Sequence, residues 1–111
     1  MFRTIEIEQP IITELWGGTR DWVVEIHREG VEGIYTVDHK TSAALYPEYR
    51  WQVATYSSYD GTIPALLRLD KETGEYEWKH EGMRGWSKKN TETYRKKFNA
   101  YLNLWWALRE A

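Results

Sequence analysis

The sequence contains no cysteine. Disulfides, thiolate zinc sites and cysteine-held iron–sulfur clusters are therefore excluded. No apolar run approaches the ~18 residues that span a bilayer. The opening MFRTIEIEQP alternates and carries charge, unlike a secretory leader, so the expected location is cytoplasmic. Charge of one sign is also lacking: the formal net charge is -2. A nucleic acid cannot be held by bulk charge at that balance, and any such binding needs a local patch. No repeat, low-complexity segment or linker breaks the 111 residues, so a single domain over 1–111 is expected.

What is present is globular in composition, with 41% apolar and 29% charged residues. Seven tryptophans and eight tyrosines are many for this length. Large aromatics let a small core bury enough area, and they can also stack on bases. Most fall on the apolar side of a periodic pattern, which favours the core.

The pattern predicts strands at Thr4–Glu8 (Ile5 and Ile7 facing inward, closed by Pro10), at Asp21–His27, and at Ile34–Lys40. Trp16-Gly17-Gly18 marks a turn, and Arg28–Gly33 a hairpin loop. Pro47 suits the first turn of a helix running through Glu48–Tyr59, ended by Asp60-Gly61. Strands follow at Pro64–Leu69 and Glu75–Lys79 across an Asp70–Gly74 turn, with His80–Lys89 irregular. Asn90 is the expected N-cap of a last helix, with Glu92 in its first turn. Along it Tyr94, Phe98, Tyr101, Trp105 and Leu108 form one apolar stripe, and of Trp105 and Trp106 one must stay outside the core. Three strands, a helix, two strands and a helix make an α+β domain.

The third strand carries the chemistry. Side chains two apart share a face, so Asp38 and Lys40 point together, opposite Tyr35 and Val37. A hairpin from the second strand can bring Asp21 beside Asp38. Two carboxylates suit a hard divalent cation such as Mg²⁺. A neighbouring ammonium can stabilise charge developing on a phosphate. An Asp–Lys pair on a solvated strand face is the bland alternative.

Further residues tip this balance. Gly17-Gly-Thr-Arg-Asp21, Val37-Asp-His-Lys-Thr-Ser42 and Gln52-Val-Ala-Thr-Tyr56 stand in that order. Together with Ala44-Leu-Tyr-Pro-Glu-Tyr-Arg-Trp-Gln52, they resemble the PD-(D/E)XK nuclease superfamily, and within it the RecB-like and lambda-exonuclease-like group of phage and prokaryotic members. The resemblance spans roughly residues 5–70. It implies a restriction-endonuclease-like core, a central mixed sheet flanked by helices. It also implies a Mg²⁺- or Mn²⁺-dependent deoxyribonuclease acting on DNA in processing, recombination or repair, in host cytoplasm if viral. Asp21 and Asp38 would ligate the metal with the backbone carbonyl of His39. Lys40 would act on the attacking water or the transition state, and Gln52 and Tyr56 would shape the site.

Many members carry an upstream helix that supplies one more acid. This chain opens at the first strand, so a minimal version without that helix is expected. Four readings stay open. Asp21 and Asp38 suffice; Glu14 or Glu25 substitutes; a partner subunit or second copy completes the site; or the chain is a catalytically inactive DNA-binding or protein-interaction module. His39 points to the packed face, so its side chain is expected to be buried. Arg84, Lys88, Lys89, Arg95, Lys96 and Lys97 are the densest basic region, suited to a phosphate backbone or simply solvated. Trp86, beside them, is the tryptophan best placed for base stacking.

Overall fold

The computed structural model of the chain describes residues 2–12, 17–41 and 45–109. They form a five-stranded mixed sheet and two helices: β1 (Phe2–Ile12), β2 (Gly17–Ile26), β3 (Gly33–Lys40), α1 (Pro47–Ser57), β4 (Ile63–Leu69), β5 (Tyr76–His80) and α2 (Lys88–Arg109). The strands lie in chain order, and only the β3–β4 pair is parallel. A parallel neighbour needs a crossover rather than a tight turn, and α1 supplies it.

Each connection follows local chemistry. Between β2 and β3 the amide of Val31 donates to the carbonyl of Arg28 at 2.9 Å, and Gly30 takes a φ of 85° that an L side chain resists. Between β4 and β5, Asp70 Oδ1 accepts from the amides of Glu72 (2.9 Å) and Thr73 (3.2 Å), an Asx turn that closes the hairpin. Pro47 sits in the first turn of α1, where its missing N–H costs nothing.

Two apolar clusters sandwich the sheet. One is drawn entirely from strands: Val24, Tyr35, Val37 and Ala65 are buried, with Trp22, Ile26, Ile63, Leu67 and Trp78 packed around them. The other joins the opposite face to the helices through Val53, Leu66 and Trp86, flanked by Leu45, Tyr49 and Tyr94. Asp38 and Lys40 lie on this helix-covered side, because Asp38 stands opposite Leu66 in the parallel register.

Several expectations need correction. β1 does not stop at Pro10 but pairs on to Ile12. It is an edge strand, where a proline removes no needed ladder bond. Its register slips between Thr4 and Glu6, and Ile5 and Ile7 end up exposed rather than half-buried. Gly17 and Gly18 belong to β2 rather than to a turn, while Trp16 lies outside the described residues. Ser87, not Asn90, is the N-cap of α2. Asn90 amide donates to Ser87 Oγ at 3.1 Å and Asn90 Oδ1 accepts from the Ser87 amide at 2.9 Å, a reciprocal cap one turn earlier than expected. The first turn of α2 therefore holds no acid.

Trp86 is not available for stacking on bases. It is 2% exposed, and its indole N–H donates to Thr91 Oγ1 at 2.9 Å. The apolar stripe of α2 covers only its first half: Tyr94 is half-buried, whereas Tyr101, Trp105 and Leu108 are exposed. Both Trp105 and Trp106 are outside the core, packed edge to face at 4.9 Å. No described helix is long and apolar enough to cross a membrane.

Candidate functional site

The β2–β3 hairpin decides which acids meet. Trp22 stands opposite Val37, so one step further along the register sets Asp21 against Asp38. Asp21 Oδ2 accepts from the backbone amide of His39 at 2.8 Å, which pins its carboxylate across the strand gap. Asp38 is buried, 6% exposed, and its Oδ2 lies 3.1 Å from Lys40 Nζ. That oxygen is nonetheless without a well-aligned hydrogen-bond donor. An ionised carboxylate in such a place is costly. Burial raises the Asp38 carboxyl from 3.8 to about 7; the Asp21 carboxyl adds to the rise, and the Lys40 ammonium partly offsets it.

α1 completes the cluster. Gln52 and Tyr56, one turn apart, share a helix face. Gln52 Oε1 accepts from Lys40 Nζ at 3.5 Å, and its amide donates to Tyr56 Oη at 2.9 Å. Burial also raises the Tyr56 phenol above its ordinary value. The resulting chain runs from Asp21 through Asp38, Lys40 and Gln52 to Tyr56, so five residues singled out in the sequence stand side by side.

The remaining expectations divide. The side chain of His39 is exposed, not buried, and stacks on Trp22 with ring centroids 5.9 Å apart. Facing away from the helices is not the same as being packed when that face is covered only by strand side chains. Glu25 does not join the acids: it binds Arg3 at 3.0 Å and His27 at 2.6 Å. The His27 hydrogen bond is the main cause of its lowered pKa. Glu14 lies outside the described residues. Among the described residues no group of three or more Asp, Glu, His or Cys converges as a metal site.

The basic region is smaller than its sequence suggests. Arg95 is spent on structure, donating to the carbonyl of Ala54 at 2.8 Å and to Ser57 Oγ at 3.3 Å. Sequence reasoning missed Tyr49, whose ring centroid lies 4.7 Å from Lys40 Nζ. The signal was present, since Tyr49 precedes Gln52 by three residues and so shares its helix face.

A divalent cation fits this donor set in kind. Two carboxylates converge, and the buried Oδ2 of Asp38 has the Lys40 ammonium 3.1 Å away without an aligned hydrogen bond from it. Two acids are fewer oxygen donors than Mg²⁺ takes, so waters or substrate oxygens would fill the rest. No protein-family model, curated protein or solved structure matches the chain.

Proposed function

We propose that the chain is a metal-dependent deoxyribonuclease, with Asp21 and Asp38 holding Mg²⁺ or Mn²⁺. The observation that carries this reading is the buried Asp38 oxygen that lacks an aligned donor, set between a second carboxylate and a lysine. The mixed sheet, with α1 crossing between parallel β3 and β4, supports the finer assignment of a restriction-endonuclease-like core.

Phosphodiester hydrolysis forms a bond from a water oxygen to phosphorus and breaks the bond to the leaving sugar oxygen. Negative charge grows on the phosphoryl oxygens meanwhile. Asp21 and Asp38 would hold the cation, which would lower the pKa of water and neutralise part of that charge. Lys40 sits where its ammonium can face the same oxygens or orient the water. Gln52 accepts from Lys40 and so fixes its direction, and Tyr56 is held by Gln52 in turn. The backbone amide of His39 keeps Asp21 aimed.

A second reading rests on a different observation. With only two acids gathered among the described residues, a catalytically inactive module on the same fold, binding DNA or a protein, would need no third. A partner subunit or second copy completing the site belongs to the same question.

Cleavage of linear and circular DNA, single- and double-stranded, with Mg²⁺ or Mn²⁺ and with EDTA, separates these readings. The nuclease reading expects cutting that EDTA abolishes and that falls about a hundredfold or more in Lys40→Ala, the scale of losing one transition-state donor. No cutting by wild type with metal on any substrate favours the inactive module.

A further inference from the structure

Beside Lys40 opens a cavity of about 700 Å³, within the size range of small-ligand sites. Lys40 and Gln52 form one end of it, so it is continuous with the carboxylate cluster. The rest of its lining is unusually aromatic: Tyr49 and Trp51 from α1 face Phe98 and Tyr101 from α2. The fold leaves these rings reachable. Tyr101 is 56% exposed, and Tyr49, Trp51 and Phe98 are only half-buried. Phe98 and Tyr101 lie nearly parallel, 25° apart with centroids at 6.2 Å.

Cations border the rings. Lys40 Nζ stands over Tyr49 at 4.7 Å, and Lys97 Nζ over Trp51 at 5.5 Å. Glu48 also lines the groove, so a phosphate chain is expected to run along the Lys40 and Lys97 side. Flat apolar faces flanked by ammonium groups complement a strand whose bases are free and whose phosphates are charged. A duplex keeps its bases stacked inside and offers these rings only sugar and phosphate.

We infer that this aromatic groove holds unpaired nucleotides, so that the adjacent carboxylate–lysine cluster receives single-stranded DNA or a frayed end rather than intact duplex. The inference rests on the nuclease reading for what happens to the strand, but the groove's preference for exposed bases can be measured by itself.

The test is binding by fluorescence anisotropy, with Ca²⁺ replacing Mg²⁺, to three labelled probes of equal length: an oligothymidylate, an abasic strand and a duplex. The proteins are wild type, Trp51→Ala, Tyr101→Ala, Trp51→Phe and, as a remote control, Tyr76→Ala on exposed β5. Circular dichroism and melting check that each is folded. The expected result is thymidylate binding at least about tenfold tighter than abasic or duplex binding. Each groove alanine variant should lose about 5- to 100-fold on thymidylate alone, the scale of one stacked base. Trp51→Phe should retain most of the affinity, and Tyr76→Ala all of it.

Equal affinity for thymidylate and abasic strands, or alanine losses of the same size on both, overturns the inference. Should metal-dependent cutting persist in that case, the nuclease reading survives without the groove. Base-dependent binding that the alanine variants weaken upholds the groove even where no metal supports cutting, and then the nuclease reading falls.

Discussion

The two faces of β3 are built from alternate residues of one strand, yet they do opposite work. Tyr35 and Val37 are sealed among Trp22, Val24, Ala65 and Trp78. Thr36, Asp38 and Lys40 turn instead to the side covered by α1, where buried polar groups meet rather than avoid one another. The first face gains stability by removing apolar area from water. The second gives some of it up, since an acid held that deep resists ionisation. A sheet that can carry the second face needs a strong first one.

The largest expected effect comes from breaking the apolar face. Tyr35 is 2% exposed, its ring rests against Trp78 and His80, and its hydroxyl donates to the carbonyl of Val31 at 2.8 Å. Tyr35→Ala leaves a cavity at the middle of the strand and removes that anchor. The cost should be about 3–5 kcal/mol, read as a lower urea midpoint with a similar slope. A loss below about 1 kcal/mol would mean that the strand-only cluster is not a core.

A smaller effect, of opposite sign, is expected on the polar face. A carboxyl whose folded value lies above its free value binds its proton more tightly in the folded chain. For Asp38 that contribution is fully present below about pH 4 and is lost as pH rises through about 7. Wild type should therefore lose stability relative to Asp38→Asn across this window, by a few kcal/mol. Comparison with the variant cancels the other carboxylates and histidines that titrate nearby. Mn²⁺ at about a hundred times its Kd should raise wild-type stability at pH 8 by ~2.7 kcal/mol and leave Asp38→Asn nearly unchanged. Parallel pH curves for the two proteins would remove the case for a strained buried acid. A Mn²⁺ shift that survives in the variant would move the metal elsewhere.

How much of this was legible in the sequence differs between the same two faces. Period-two alternation placed Asp38 with Lys40 and opposite Val37, because strand geometry leaves no other choice. Helical spacing joined Gln52 to Tyr56 for the same reason. Environment was harder to read. Trp86 lies among glycines and basic residues and looked exposed, yet it fills the space between Leu66 and Tyr94. The periodic stripe of α2 promised burial to residues beyond Phe98 that are exposed. Periodicity says which side chains share a face; it does not say whether another element covers that face. Arg95 likewise counted as surface charge until its bonds to the end of α1 were visible.

The smallest expected effect sharpens the comparison by testing an acid that the polar face excludes. Glu25 alternates with Asp21 and Val23 and so lies on the Asp21 side of β2, which made it a candidate third ligand. Its carboxylate is instead held by Arg3 from the edge strand and by His27. These partners are largely solvent-exposed, and such pairs are worth little. Glu25→Gln should therefore leave the melting temperature almost unchanged. It should leave both the Mn²⁺ shift and any DNA cleavage at wild-type levels. A lost Mn²⁺ shift would mean that Glu25 swings away from Arg3 and His27 once a cation is bound. The metal site would then reach along β2, and its two-acid composition would belong to the metal-free chain alone.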